Sequence, residues 1–161
     1  MSPIHHSFNT LSLLTLINVT LITCCFSEEK AKGKNKIDFE ILSGYFVSNK
    51  FEPSFIITSD QKIFDSAFGI AFVQGDDSNR LKEGSLKSKI VISTIKRGSF
   101  FCNYDVVSLT NNKGELELRY NLKKRESSTA EYSCPLIISI PKIDYKSVKF
   151  IENGKLIKNL K

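Results

Sequence analysis

Cysteine, histidine and carboxylate side chains are the groups in this 161-residue chain able to do covalent, acid-base or metal chemistry. Cys24 and Cys25 are adjacent, whereas Cys102 and Cys134 stand apart, and both histidines, His5 and His6, lie near the start. Ser-His-Asp and Cys-His machinery needs an imidazole to move the proton. A chain processed downstream of His6 can build neither, nor any histidine-containing zinc site. Paired carboxylates of the glycosidase kind need no imidazole. Here the acids are scattered, or fall on the polar face of an alternating run as Glu115 and Glu117 do, which reads as solvated surface charge. Asp76-Asp77-Ser78-Asn79 with Glu83 offers oxygen ligands, but lacks the D-x-D-x-D-G order of a calcium loop and reads as a turn. The expectation is a non-enzyme with no catalytic, cofactor-binding or metal-binding residue.

The first 27 residues contain no Lys, Arg, Asp or Glu. Within them, residues 11–23 (LSLLTLINVTLIT) form an apolar run. It is too short for a ~30 Å hydrocarbon core and reads as the central part of an export signal. Leu21-Ile22-Thr23-Cys24-Cys25 is similar to the lipobox of bacterial lipoproteins, whose cysteine is acylated and becomes the first mature residue. Acylation at Cys25 would discard Cys24 and leave an even pair of thiols, which suits an oxidising compartment. Cys24 is the alternative. The organisation expected is a signal over 1–24, a charged tether over 25–36 and one domain over 37–161. Glu28-Glu29 resembles the acidic surface-export tag of Bacteroidetes-type lipoproteins. The expected location is therefore the cell envelope, at the outer membrane or cell surface, with the bilayer as a partner through the lipid.

The domain reads as mainly β (α+β): a single β-sandwich or strongly bent antiparallel sheet with one short helix. Residues 39–47 are rich in β-formers, with Gly44 as a kink, and 55–58 form a second run. A helix follows, with Ser59 or Asp60 as N-cap, an apolar stripe of Ile63, Phe64 and Phe68, and Gly69 as its stop. Residues 74–88 read as a polar loop. Residues 89–95 are almost continuously apolar, as in a central strand. Residues 104–109 and 115–122 flank an Asn-Asn-Lys-Gly hairpin turn, and 115–122 alternate strictly. A polar connection over 123–133 leads to a buried strand over 136–140, closed by Pro141. A second hairpin turns at Asn153-Gly154. Cys102 and Cys134 each fall at a strand edge, as either a disulfide or two separate buried thiols. Net charge is +6, but Lys96-Arg97 and Lys123-Lys124-Arg125 lack the interleaved aromatics of RNA-binding motifs, so no nucleic-acid partner is expected.

Phe64-Asp65-Ser66-Ala67-Phe68-Gly69 after Ile56-Ile57-Thr58-Ser59, and Cys134 to Lys142 (CPLIISIPK) followed by Ser147 to Glu152 (SVKFIE), resemble two groups. One is the small single-domain lipoproteins of Bacteroidetes; the other is the protease-complex accessory subunit (PrcB-like) family. The likeness spans Ser43 to Glu152 as an order of strands around a helix, and no functional residue is carried over with it. It implies a binding role, supporting or restraining an envelope protease. The expected function is thus a protein-binding or protease-accessory lipoprotein whose loops or strand edges meet an envelope partner. A small-molecule, glycan or ion-binding lipoprotein is the alternative.

Overall fold

Two runs in the sequence have no polar face to spare, residues 89–95 and 136–140, and the fold puts both in the middle. The computed structural model describes residues 35–71, 79–126 and 130–161; Cys24, Cys25, the signal and most of the tether lie outside these. The central layer is a four-stranded antiparallel sheet in the order β2 (Glu40–Leu42), β9 (Tyr132–Pro141), β6 (Lys89–Gly98), β4 (Phe55–Thr58). Because successive side chains alternate faces, Ile90, Ile92, Leu136, Ile138 and Ile140 point one way, and Val91, Ile95 and Ile137 the other. Both faces are covered, which is why these strands read as unbroken apolar runs.

The first face packs on a five-stranded sheet in the order β1 (Asn35–Lys36), β7 (Phe100–Asn112), β8 (Glu115–Glu126), β10 (Ser147–Glu152), β11 (Lys155–Leu160). Leu116, Leu118, Tyr120 and Leu122 of β8, with Val148 and Phe150 of β10, fill the space between the sheets. The intervening β8 residues face outward, as the strict alternation requires. Glu115 meets Lys149 at 2.9 Å and Glu117 meets Arg119 at 2.5 Å, so these acids are surface ion pairs. The mainly-β reading holds, and the two sheets stack as a sandwich. It is not wholly antiparallel, however: β8 and β10 are parallel, from Ser147↔Glu115 to Glu152↔Tyr120. A parallel neighbour needs a crossover, and β9, seated in the other sheet, makes it.

A third layer covers the second face. It holds helix α1 (Gln61–Ala67), a 3-10 turn (Ser85–Lys87) and a two-stranded ribbon of β3 (Tyr45–Val47) with β5 (Phe68–Ile70). Phe64, Ala67, Phe68, Leu86, Leu42 and Val47 bury against Val91, Ile95 and Ile137. The run expected over 39–47 is split between two sheets at Gly44, whose φ of +75° makes the corner.

Asp60 caps the helix, its Oδ1 accepting from the Lys62 N–H at 2.7 Å and the Ile63 N–H at 3.3 Å. The helix ends otherwise than expected. Phe68 is already extended (φ −131°, ψ 126°), so the chain runs straight into β5 and Gly69 is a strand residue, not a stop. Its missing side chain admits the ring of Phe46 from the paired strand. Ile63 is 48% exposed and lies outside the buried stripe.

Three boundaries also move. Asn35 and Lys36 pair with Asn111 and Thr110, so the domain starts inside the expected tether. β8 extends to Glu126 and β9 begins at Tyr132, which narrows the connection expected over 123–133. The first hairpin turns on Lys113-Gly114 alone, with φ of +53° and +89°.

Candidate functional site

Beside the sandwich, the third layer leaves an open groove of about 1020 Å3 between α1, the ribbon and the segment leading to the 3-10 turn. Its floor is aromatic. Tyr45 meets Phe64 edge-on at 5.3 Å and Phe68 at 6.5 Å, while Phe64 and Phe68 are 5.2 Å apart. Alternation along β3 and β5 sends Tyr45 and Phe68 toward the helix, where the apolar stripe of α1 presents Phe64. The Tyr45 hydroxyl accepts from the Leu81 N–H at 2.9 Å, which ties the segment before the 3-10 turn to the ribbon. Leu81 and Leu86 complete the apolar lining.

The rim is charged. Lys62, Lys82, Lys87 and Lys142 surround the floor, with Asp60, Asp65 and Glu83 among them. Asp60 is engaged as the helix cap, and Asp65 accepts from the Gln61 Nε2 at 2.8 Å. None of the four lysines has a carboxylate within ion-pair distance among the described residues. The groove thus offers apolar area with a rim on which four lysines stand among three acids.

A set of polar side chains lies between the sheets toward the end where β7 begins. The Tyr120 hydroxyl donates to Glu152 Oε2 at 3.1 Å, and Lys96 Nζ meets the same oxygen at 2.7 Å. Tyr104 packs on Tyr120 at 5.9 Å and donates to the Cys134 carbonyl at 2.9 Å. Burial pushes both phenols well above their ordinary range, so they are neutral hydrogen-bond donors rather than acids at any working pH. Cys102 and Cys134 are both free thiols here, so the structure holds no bridge. Burial first, then the neighbouring Cys134 thiol, pushes the Cys102 thiol up to about 11.

At the edge of the second face of the four-stranded sheet, Glu40 takes the Lys89 ammonium at 2.5 Å and the Ser139 hydroxyl at 3.1 Å. These hydrogen bonds hold its carboxyl below the usual carboxylate range. Asp76, Asp77 and Ser78 lie outside the described residues. Among the described residues, no three His, Cys, Asp or Glu side chains gather as a metal site requires. No helix among them is long and apolar enough to cross a membrane.

Sequence reasoning found the helix and the inward placing of Phe64, and expected a polar loop over 74–88, but it put Ile63 on the buried face and missed the groove beside the helix. Tyr45 and Lys142 reach it from distant parts of the chain. The available signal was a tyrosine on the inward side of a kinked strand, with no means of telling what it would face. Comparison of the chain with protein-family models, curated proteins and solved structures returns no match. Fold and groove therefore define a class only: a three-layer, mainly-β domain with an aromatic-floored, lysine-rimmed groove.

Proposed function

We propose that the chain is an exported envelope lipoprotein, acylated at Cys25 or Cys24, whose β-domain is a non-enzymatic protein-binding module with the groove as its docking face. The groove itself carries the reading. An apolar floor favours a buried aromatic or aliphatic side chain, and four rim lysines against three rim acids favour carboxylates around it. The fitting occupant is an acidic stretch of polypeptide bearing one large apolar residue, on a protein of the same envelope. A net charge of +6 strengthens the attraction at long range. The lipid confines the domain to a surface, where such partners are locally concentrated. The resemblance to protease accessory subunits suits a partner of that kind.

The test compares the lipidated wild-type protein with the double variant Lys82→Glu, Lys142→Glu, both captured from detergent-solubilised membranes. Wild type is expected to retain a stoichiometric envelope protein, cross-linked to the groove through an acidic segment; the variant, equally stable, is expected to lose it. Retention by the variant, or no stoichiometric partner, refutes the reading. Mass spectrometry of the mature N-terminus checks the anchor: an acyl-cysteine is expected, and a chain starting at Met1 with unmodified thiols refutes it.

The groove's volume also suits a small ligand, being at the upper end of the ~300–1,000 Å3 typical of such sites. A thermal-shift screen of sugars, lipids and anions separates the two readings, since a melting shift with a small molecule that survives in the absence of protein partners favours the carrier.

A further inference from the structure

Cys102 and Cys134 belong to different sheets, yet the fold presses them together. Phe100, Cys102 and Tyr104 are two residues apart along β7, so their side chains share its inward face. Cys134 is held against that face on both sides of Cys102. Its Sγ donates to the Phe100 carbonyl at 3.5 Å, and its own carbonyl accepts from the Tyr104 hydroxyl at 2.9 Å. Cys102 stands between Phe100 and Tyr104 on β7, which places its side chain beside Cys134. Both residues are half-buried, so a small reagent can reach them.

We propose that Cys102 and Cys134 are a built oxidation site that closes into a disulfide and locks the two sheets of the sandwich together. The oxidant is another disulfide, small or protein-borne. One thiolate of the pair attacks a sulfur of that disulfide and displaces its first half as a thiolate, leaving a mixed disulfide. The second cysteine then attacks the protein sulfur of the mixed disulfide and displaces the other half. Two protons leave the pair and two electrons end on the departing thiols, so the exchange balances without a metal or flavin. Because Cys102 is held protonated up to about 11, closure speeds up in alkaline buffer and is slow near neutrality. That suits a bond made once over a bond cycled in catalysis.

The closed loop spans about 30 residues and contains the whole β7–β8 turn, so fixing its ends removes much freedom from the unfolded chain. For a domain of this size the expected rise in melting temperature is about 10 °C. The lock does not depend on the groove or its partner.

The full-length chain is incubated in mildly alkaline buffer with oxidised glutathione or with dithiothreitol, alkylated, digested without reduction and mapped. The oxidised sample is expected to give a linked peptide pair joining Cys102 to Cys134. Its melting temperature should exceed that of the reduced sample by about 10 °C, and this difference should vanish in Cys134→Ser. Two alkylated thiols after oxidation, or a link from either one to Cys24 or Cys25, overturns the pairing. A correct link with no rise in melting temperature overturns the lock.

Discussion

Phe150 is the residue on which the stacking of the two sheets can be tested most directly. It is completely buried in β10, and its ring meets Phe55 of β4 edge-on at 4.9 Å, so the contact joins the five-stranded sheet to the four-stranded one. Truncation to alanine uncovers about 150 Å2 of apolar surface, which at ~25 cal/mol per Å2 is about 4 kcal/mol. A cavity left unfilled keeps the total within the ~3–5 kcal/mol typical of buried phenylalanine. Against a total stability of about 5–15 kcal/mol this is a large fraction. With a urea m-value of about 2 kcal/mol/M, the midpoint should fall by about 2 M. Leu156→Ala in β11 is the control: that side chain is 59% exposed, and its loss should change stability by under ~0.5 kcal/mol. Combining Phe150→Ala with Phe55→Ala should recover about 1 kcal/mol of coupling. A loss below about 1 kcal/mol for Phe150→Ala, or one equal to that of Leu156→Ala, would refute the sandwich as the source of the core.

Two further outcomes follow from particular contacts. In Gly69→Ala the new methyl group collides with the Phe46 ring, which is half-exposed and able to swing away, so the cost should be about 1 kcal/mol. In a Phe46→Ala background the same change should become neutral or slightly stabilising; equal costs in both backgrounds rule out the ring contact. Glu40 has its folded pKa depressed below 4.5, so its pairing stabilises the fold above that value and the contribution disappears as pH falls through the lower, folded pKa. Denaturation midpoints of Glu40→Gln should therefore depend less on pH than wild type below about pH 4.5, and superimposable acid profiles would contradict this.

Elements whose two sides see different surroundings were plain in the sequence. The alternation over 115–122 gave both the strand and its buried set, and Asn153-Gly154 marked a turn because both residues must adopt positive φ (+48° and +79°). The continuous runs of β6 and β9 announced burial on both sides. What could not be read was what covered each side: the parallel pairing of β8 with β10 is a long-range choice that leaves no local mark. Gly69 misled for a physical reason, since a glycine after an apolar helical stripe serves equally as a cap or as space for a ring. The groove was hidden because its parts, Tyr45, Phe64, Leu81 and Lys142, satisfy different local patterns and meet only through the third layer. The facing thiols were half legible: both cysteines stood at strand edges, but their proximity comes from the stacking of the sheets.

The crossover through β9 has a consequence for how the molecule comes together. The long β7–β8 hairpin can zip up early, from contacts near in sequence, but one flank of β8 stays open, with its amide and carbonyl groups unpaired. β10 reaches that flank only after the chain has run through β9 of the opposite sheet, so sealing it takes contacts of longer range than those of the hairpin turn. Until then the bare flank is open to pairing with other chains, and the C-terminal hairpin is what ends the hazard.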